Sequence, residues 1–354
     1  MSEFDLQVRN KIARRILQLR DACASAVTDE LYALPAACSQ QFGEDGRRHC
    51  RNDLAFHIQF LAAGMEANSL TMFRRYLKWC DGLLASRGVE CEPAAQTAER
   101  IAARLSQMLA PNEASVLSEF LSGCDDEEGE RNELESSNVP ERLRGAREAY
   151  VSALLAGERF AALTVAEQCL HEVFALTDVY VEVLAGALHQ IGELWEGNRI
   201  TVAHEHVATA ITQMVIADLC PRIPRGETSR GKVVVAGVSG EMHQVGANLL
   251  SDALQAGGWK VTFLGSNVPD RALLDMLAAS DPDFFCLSTT LAAHLPAAAD
   301  LIRQVRDRFG PRRPEIMVGG AAFNQSPAVY IKNLGVRFAD LRGAVRLLCP
   351  EEWK

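Results

Sequence analysis

The chain contains ten cysteines but no CxxC pair, and no apolar run is long enough to cross a bilayer. Its first residues, Met1-Ser2-Glu3-Phe4-Asp5, lack a basic region followed by a hydrophobic segment. The scattered thiols are therefore expected to be reduced packing residues, and neither secretion nor membrane insertion is indicated, which predicts a cytoplasmic protein. Basic excess is missing too. The net charge of −10 argues against a broad nucleic-acid-binding face, and Arg14-Arg15 and Arg47-Arg48 are short patches better suited to solvated helix faces. No helix-turn-helix or zinc-finger spacing occurs. No general acid/base pair, nucleophile triad or phosphate loop stands out, which favours sensing or binding over catalysis.

What is present is enough apolar residue, 48% of 354, for two or three packed cores. Residues 1–123 carry amphipathic stretches over Leu6 to Leu34, Asp53 to Met65 and Leu70 to Arg87, with Pro93 and Pro111 near further helix starts. They predict an all-helical domain of at least five helices, with a globin-like arrangement as one expectation. Residues 124–140 are acidic and aperiodic and predict a linker. Residues 141–222 predict a four-helix bundle in which Thr164-x-x-Glu167 forms a capping box. A helix over Ala175 to Trp195 breaks at Gly197-Asn198, and a last helix opens at Thr201. A second boundary is expected near Pro221 to Gly226. Residues 230–350 predict a flavodoxin- or Rossmann-like five-stranded parallel sheet, with strands at 232–238, 260–266, 284–289, 315–319 and about 336–339. The fold class is thus multi-domain, α and α/β.

Three loops of that sheet domain stand out. Glu241-Met242-His243-Gln244-Val245-Gly246 follows the first strand, at the sheet edge where ligands bind in open α/β folds. A loop His beside a carboxylate and a Gly suits an axial metal ligand approached closely by a large cofactor. Ser288-Thr289-Thr290 and Gly319-Gly320 follow the third and fourth strands. The Gly265-Ser266-Asn267 turn follows the second, and His294 opens the next helix as either a surface or a rim residue. At the bundle end, the 197–201 turn gathers Trp195, Glu205 and His206. These could stack on and hydrogen-bond a nucleoside, or be a half-buried Trp with polar surface neighbours.

The order and spacing of the three loops resemble the DxHxxG…SxL…GG signature of cobalamin-binding domains. Glu241 stands where Asp is commonest, and Thr290 where the methionine synthase pattern has Leu. The resemblance implies that His243 is the lower cobalt ligand, with Glu241 behind it and Met242 and Gly246 beside it. Ser288, Thr290, Gly319 and Gly320 would line the slot for the nucleotide tail. Trp195-x9-Glu205-His206 is similar to the W-x9-EH motif of CarH-type photoreceptors, whose bundle shelters the adenosyl group of adenosylcobalamin. Glu196 stands where well-known members have a His that binds cobalt after photolysis, leaving His204, His206 or water for that position. A helical domain joined to such a module without a DNA-binding headpiece resembles photocobilins. That resemblance implies biliverdin near His57, where Phe73-Arg74-Arg75-Tyr76-Leu77-Lys78-Trp79 adds aromatic and basic neighbours; an ordinary helical core fits these residues equally.

The expected function is a light sensor that signals through a homo-oligomer, dimer or tetramer, or through a protein partner, with no direct nucleic-acid or membrane contact. The alternatives are a corrinoid methyl carrier and a cobalamin-responsive antirepressor.

Overall fold

The computed structural model describes residues 3–33, 39–89, 92–123, 141–172, 175–223, 230–310 and 314–350. The expected linker at 124–140 and the Pro224-Arg225-Gly226 part of the second boundary lie outside the described residues. The chain forms two compact units. One comprises residues 1–132 with 291–300 and 321–335; the other comprises 133–290, 301–320 and 336–354. Among the described residues no helix is long and apolar enough to cross a membrane.

The first unit is built on α1 (Glu3–Tyr32), α2 (Ser39–Ala67), α3 (Leu70–Ser86), α4 (Ala94–Met108) and α5 (Pro111–Leu121). The apolar stretch at Asp53 to Met65 is the second half of a longer helix than its periodicity marks. Asn68 takes a positive φ of 52° to end α2, and Ser69 caps α3 by accepting from Met72 N. Pro93 and Pro111 sit at the starts of α4 and α5, where a missing N–H costs nothing. Ile16, Leu54, Ile58, Leu61, Phe73, Ile101, Leu105 and Leu117 form the core. Arg14 pairs with Asp300, Arg47 with Asp29 and Arg48 with Asp45, so three of the four arginines in the short basic patches are ion-paired.

The second unit begins with α6 (Glu141–Ala156) and α7 (Arg159–His171). Thr164 lies well inside α7, and its hydroxyl donates to Phe160 O at 2.9 Å. The expected capping box is therefore displaced: the chain has already turned at Gly157-Glu158, and the helix starts there. Next comes α8 (Leu176–Asp178), a π-helical turn at Val179–Ala185, then α9 (Gly186–Glu196) and α10 (Val202–Leu219). Tyr150, Val179, Tyr180, Val183, Ile191, Val215 and Leu219 fill the bundle.

The sheet follows as β1 (Lys232–Gly237), α11 (Val245–Ala256), β2 (Lys260–Phe263), α12 (Asp270–Ser280), β3 (Phe284–Ser288), α13 (Leu295–Phe309), β4 (Glu315–Gly319), α14 (Ala321–Asn324), α15 (Ala328–Leu334), β5 (Arg337–Phe338) and α16 (Leu341–Leu348). All pairings are parallel, in the order β2-β1-β3-β4-β5. Val233 to Ala236 are buried in succession because helices cover both faces of a parallel sheet. β2 stops at Phe263, short of the expected residue 266, because Gly265 turns the chain with φ 77°. At the amino ends of the strands, Asp283 Oδ2 accepts from Lys232 N, Lys232 Nζ donates to Ser280 O, and Arg337 pairs with Glu315.

Candidate functional site

Register places the three signature loops side by side. Gly237 pairs with Ser288, and Ser288 with Gly319, so β1, β3 and β4 release their loops at one height on the carboxyl edge. Glu241 is 0% exposed at the centre of this edge. Its Oε1 accepts from His243 N at 3.0 Å and lies 2.5 Å from His243 Nδ1. Its Oε2 accepts from Thr290 N at 2.7 Å. One buried carboxylate therefore fixes the His ring and ties the first loop to the second.

The His243 side chain is 56% exposed. With Nδ1 held, Nε2 is the ring atom left to bind a metal. The hydrogen bond to Glu241 raises the His243 pKa. Burial opposes that rise, while the charges of Glu241 and Glu205 add to it. Met242 is 70% exposed. At Gly246, in the first turn of α11, an added Cβ would meet nothing within 4 Å. Gly320 has φ 95°, and a Cβ there would overlap the Thr289 carbonyl. Ser288 and Thr290 are half-buried beside it. His294 is half-buried on a 3-10 turn.

At the bundle end, Trp195 lies in the last turn of α9 and is half-buried. Asn198 reverses the chain with φ 54°, and its N–H donates to Trp195 O. Glu205 is in the first turn of α10, at the same end. Its Oε2 lies 2.5 Å from His206 Nδ1, and its Oε1 accepts from Thr209 Oγ1 at 3.0 Å. His204 is engaged locally, its Nδ1 lying 2.7 Å from Thr201 Oγ1. The structure thus joins Glu205 to His206 and Glu241 to His243.

Two residues of the loops already singled out have roles that the sequence did not specify. Asn267 Oδ1 accepts from Gly240 N at 2.8 Å and so braces the His243 loop from the turn after β2. The Gly-Ser-Asn composition marks that turn, but not which backbone N–H the Asn side chain accepts from. Thr289 is fully buried, and its Oγ1 has no hydrogen-bond partner among the described residues.

Among the described residues no group of three or more His, Cys, Asp or Glu could hold a metal ion. A lone, carboxylate-oriented imidazole is too few ligands for a bare cation. It does fit a metal already coordinated in the plane by a macrocycle. The open space at Gly246 leaves room for a large group to approach the backbone.

His57 lies in the first unit. Its Nδ1 is 2.8 Å from Tyr76 OH, and Tyr76 stacks on Phe60 at 3.6 Å, with Trp79 beyond. Phe56 and Trp79 are 48% and 40% exposed. Burial holds the His57 pKa down to about 4, against the charge of Asp81. An unfolded chain takes up this proton near pH 6.5, whereas the folded chain does so only near pH 4. The corresponding stability is thus present above about pH 6.5 and is lost as pH falls, by up to about 3 kcal/mol. Thermal melting between about pH 7 and pH 4.5 should show this slope, and His57→Gln should flatten it. Equal slopes in the two proteins would clear His57 of the effect.

Residues 231–345 match the B12 binding domain family, and residues 146–219 match a second B12 binding domain family. The HTH-type transcriptional repressor CarH of Myxococcus xanthus is 31% identical over 207 residues, which cover 57% of this chain and 68% of that protein. Dimethylamine corrinoid protein 3 of Methanosarcina acetivorans is 27% identical over 144 residues, 40% of this chain and 68% of that one. Among solved structures, the monomethylamine corrinoid protein of Methanosarcina barkeri superimposes with a TM-score of 0.51 at 15% identity. That match covers 58% of this chain and 98% of the corrinoid protein, and it shows a shared fold.

Proposed function

Because the chain belongs to the B12-binding family that includes CarH of Myxococcus xanthus, we propose that it is a light sensor that binds adenosylcobalamin between its bundle and its sheet. The observation that carries this reading is the pair of carboxylate–imidazole couples, Glu205–His206 at the bundle end and Glu241–His243 on the sheet edge. The charge of Glu205 reaches His243. Adenosylcobalamin bound there would supply a cobalt–carbon bond that visible light breaks.

In this reading His243, its ring oriented by Glu241, would hold the cobalt through Nε2. Ser288, Thr290, Gly319 and Gly320 line the tail slot. Trp195 packs on the adenosyl group, while Glu205 and His206 supply polar contacts. Loss of the group packed on Trp195 would free the bundle end to shift on the sheet, and a homo-oligomer interface or a protein partner would carry the signal onward. The reading extends to a bilin in the first unit through the exposed Phe56 and Trp79 beside the His57–Tyr76 pair.

The test is an absorption spectrum of dark-purified protein loaded with adenosylcobalamin, taken before and after green light. Irreversible conversion to a cob(III)alamin spectrum is the expected result, and far-red absorbance after added biliverdin tests the bilin. Failure to bind, or a preference for methylcobalamin without a structural response to light, would instead favour a corrinoid methyl carrier. The 27% identity to a corrinoid protein keeps that reading in view.

A further inference from the structure

Away from both carboxylate–imidazole couples, the bundle and the sheet of the second unit meet in a buried polar joint. The bundle side is the π-helical turn and the residue before it. In that turn the Gly186 N–H reaches back to Val181 O, five residues away, the wide geometry that recurs at functional places in helices. Asp178, Tyr180 and Glu182 project from this stretch to the sheet side.

Arg342 receives two of them. Asp340 sets its place by capping α16, where its Oδ1 accepts from Gly343 N at 2.6 Å. The guanidinium reaches Asp178 Oδ1 at 2.9 Å through Nη2 and Glu182 Oε1 at 2.9 Å through Nη1. The Arg342 side chain is 15% exposed and that of Glu182 8%. The third residue, Tyr180, is fully buried and donates to Asp252 Oδ2 on α11 at 3.3 Å. Burial raises the Asp252 pKa, and hydrogen bonds from Tyr180 and Cys220 oppose that rise.

The planar fork of Arg342 fits two carboxylates in one geometry only. The Asp178 side chain is 35% exposed, so separation chiefly strips the buried Glu182 of its charge partner, which is strongly unfavourable. α11 connects this joint to the site. Its first turn follows the His243 loop, Leu249 belongs to the bundle core, and Asp252 lies one turn further on. In the cobalamin reading, a macrocycle seated between His243 and the bundle end would enter by a lift of the bundle.

We propose that Arg342 and Asp252, with Asp178, Tyr180 and Glu182 of the π-helical stretch, form a latch whose opening sets the rate at which the corrinoid is loaded and lost. The proposal rests on the cobalamin reading of the site. The latch itself is testable without any cofactor.

Hydrogen exchange of the full chain without corrinoid should be at least about tenfold faster across Val179–Ala185 and α11 in Arg342→Met than in the native protein, with α1 to α5 unchanged. Unchanged exchange would refute the latch whatever the site binds. In stopped-flow mixing with hydroxocobalamin, association and dissociation should both accelerate, by about the same tenfold, and leave affinity nearly constant. Faster exchange with native loading rates would overturn the gating. Absence of hydroxocobalamin binding to the native chain would overturn gating and cobalamin reading together. Arg342→Lys, which keeps the charge but not the fork, should fall between the two. If Arg342→Met does not fold, Tyr180→Phe removes one hydroxyl at constant volume and answers the same question.

Discussion

His243→Ala is expected to abolish the His-on cobalamin spectrum and to weaken corrinoid binding by at least about a hundredfold. Losing a group that only supports a metal ligand costs about 10–100-fold in affinity, so losing the ligand should reach or pass the upper end. The protein should stay folded, because the side chain is more than half exposed and, among the described residues, its one tether is to Glu241. Removing it leaves the Glu241 bond to Thr290 N in place. Glu241→Gln should behave differently. The amide can still occupy the buried site, but without the full charge the ring is held less firmly, and affinity should fall by about tenfold. Titration of both variants with hydroxocobalamin, read by absorbance, checks this. An unaltered spectrum in His243→Ala would remove it as the axial ligand.

The second large effect separates two glycines of the same site. Gly320→Ala should destabilise the folded chain by about 3 kcal/mol or more, because it combines an unfavourable positive φ with overlap on the Thr289 backbone. Against total stabilities of about 5–15 kcal/mol this is severe. Displacement of Thr289 would also draw Thr290 N away from Glu241, so corrinoid affinity falls with stability. Gly246→Ala should do the reverse. Its Cβ enters open space in a helix, which should stabilise the chain by about 0.5–1 kcal/mol. That same space is where a cofactor would approach the backbone, so affinity should fall while melting temperature rises. Urea unfolding and cobalamin titration of the two variants check the pair. Unchanged cobalamin affinity in Gly246→Ala would show that its open space has no binding role.

The parts of this protein written in short sequence windows were legible. Lys232 to Val238 announces a buried strand through consecutive β-branched residues, and Gly197-Asn198 announces a turn. Glu241, two residues before His243, announces a carboxylate-held imidazole. What escaped depends on residues far apart in the chain. Asp178 and Arg342 are 164 positions apart, and Tyr180 and Asp252 are 72 apart. Neither pair leaves a local pattern. The π-helical turn escaped for a related reason: Val179 to Ala185 has ordinary helical periodicity, and its wider winding is set by what it packs on. Thr164-x-x-Glu167 misled because a capping box is also a common helix-interior tetrapeptide. Only the end of α6 shows that the next helix has already begun.

The parallel sheet also gives its domain a front and a back. Every strand ends at the front, where Gly237, Ser288 and Gly319 release the loops that would meet the cofactor. Every strand begins at the back, where Lys232, Asp283, Glu315 and Arg337 stitch neighbouring chain segments together by charge. The two rims answer to different demands. The front tolerates change only insofar as the ligand does, whereas the back asks only that the strands stay in step. A fluorophore or affinity handle therefore belongs on the back, where it can report motion of the whole domain without standing in the way of what the front receives.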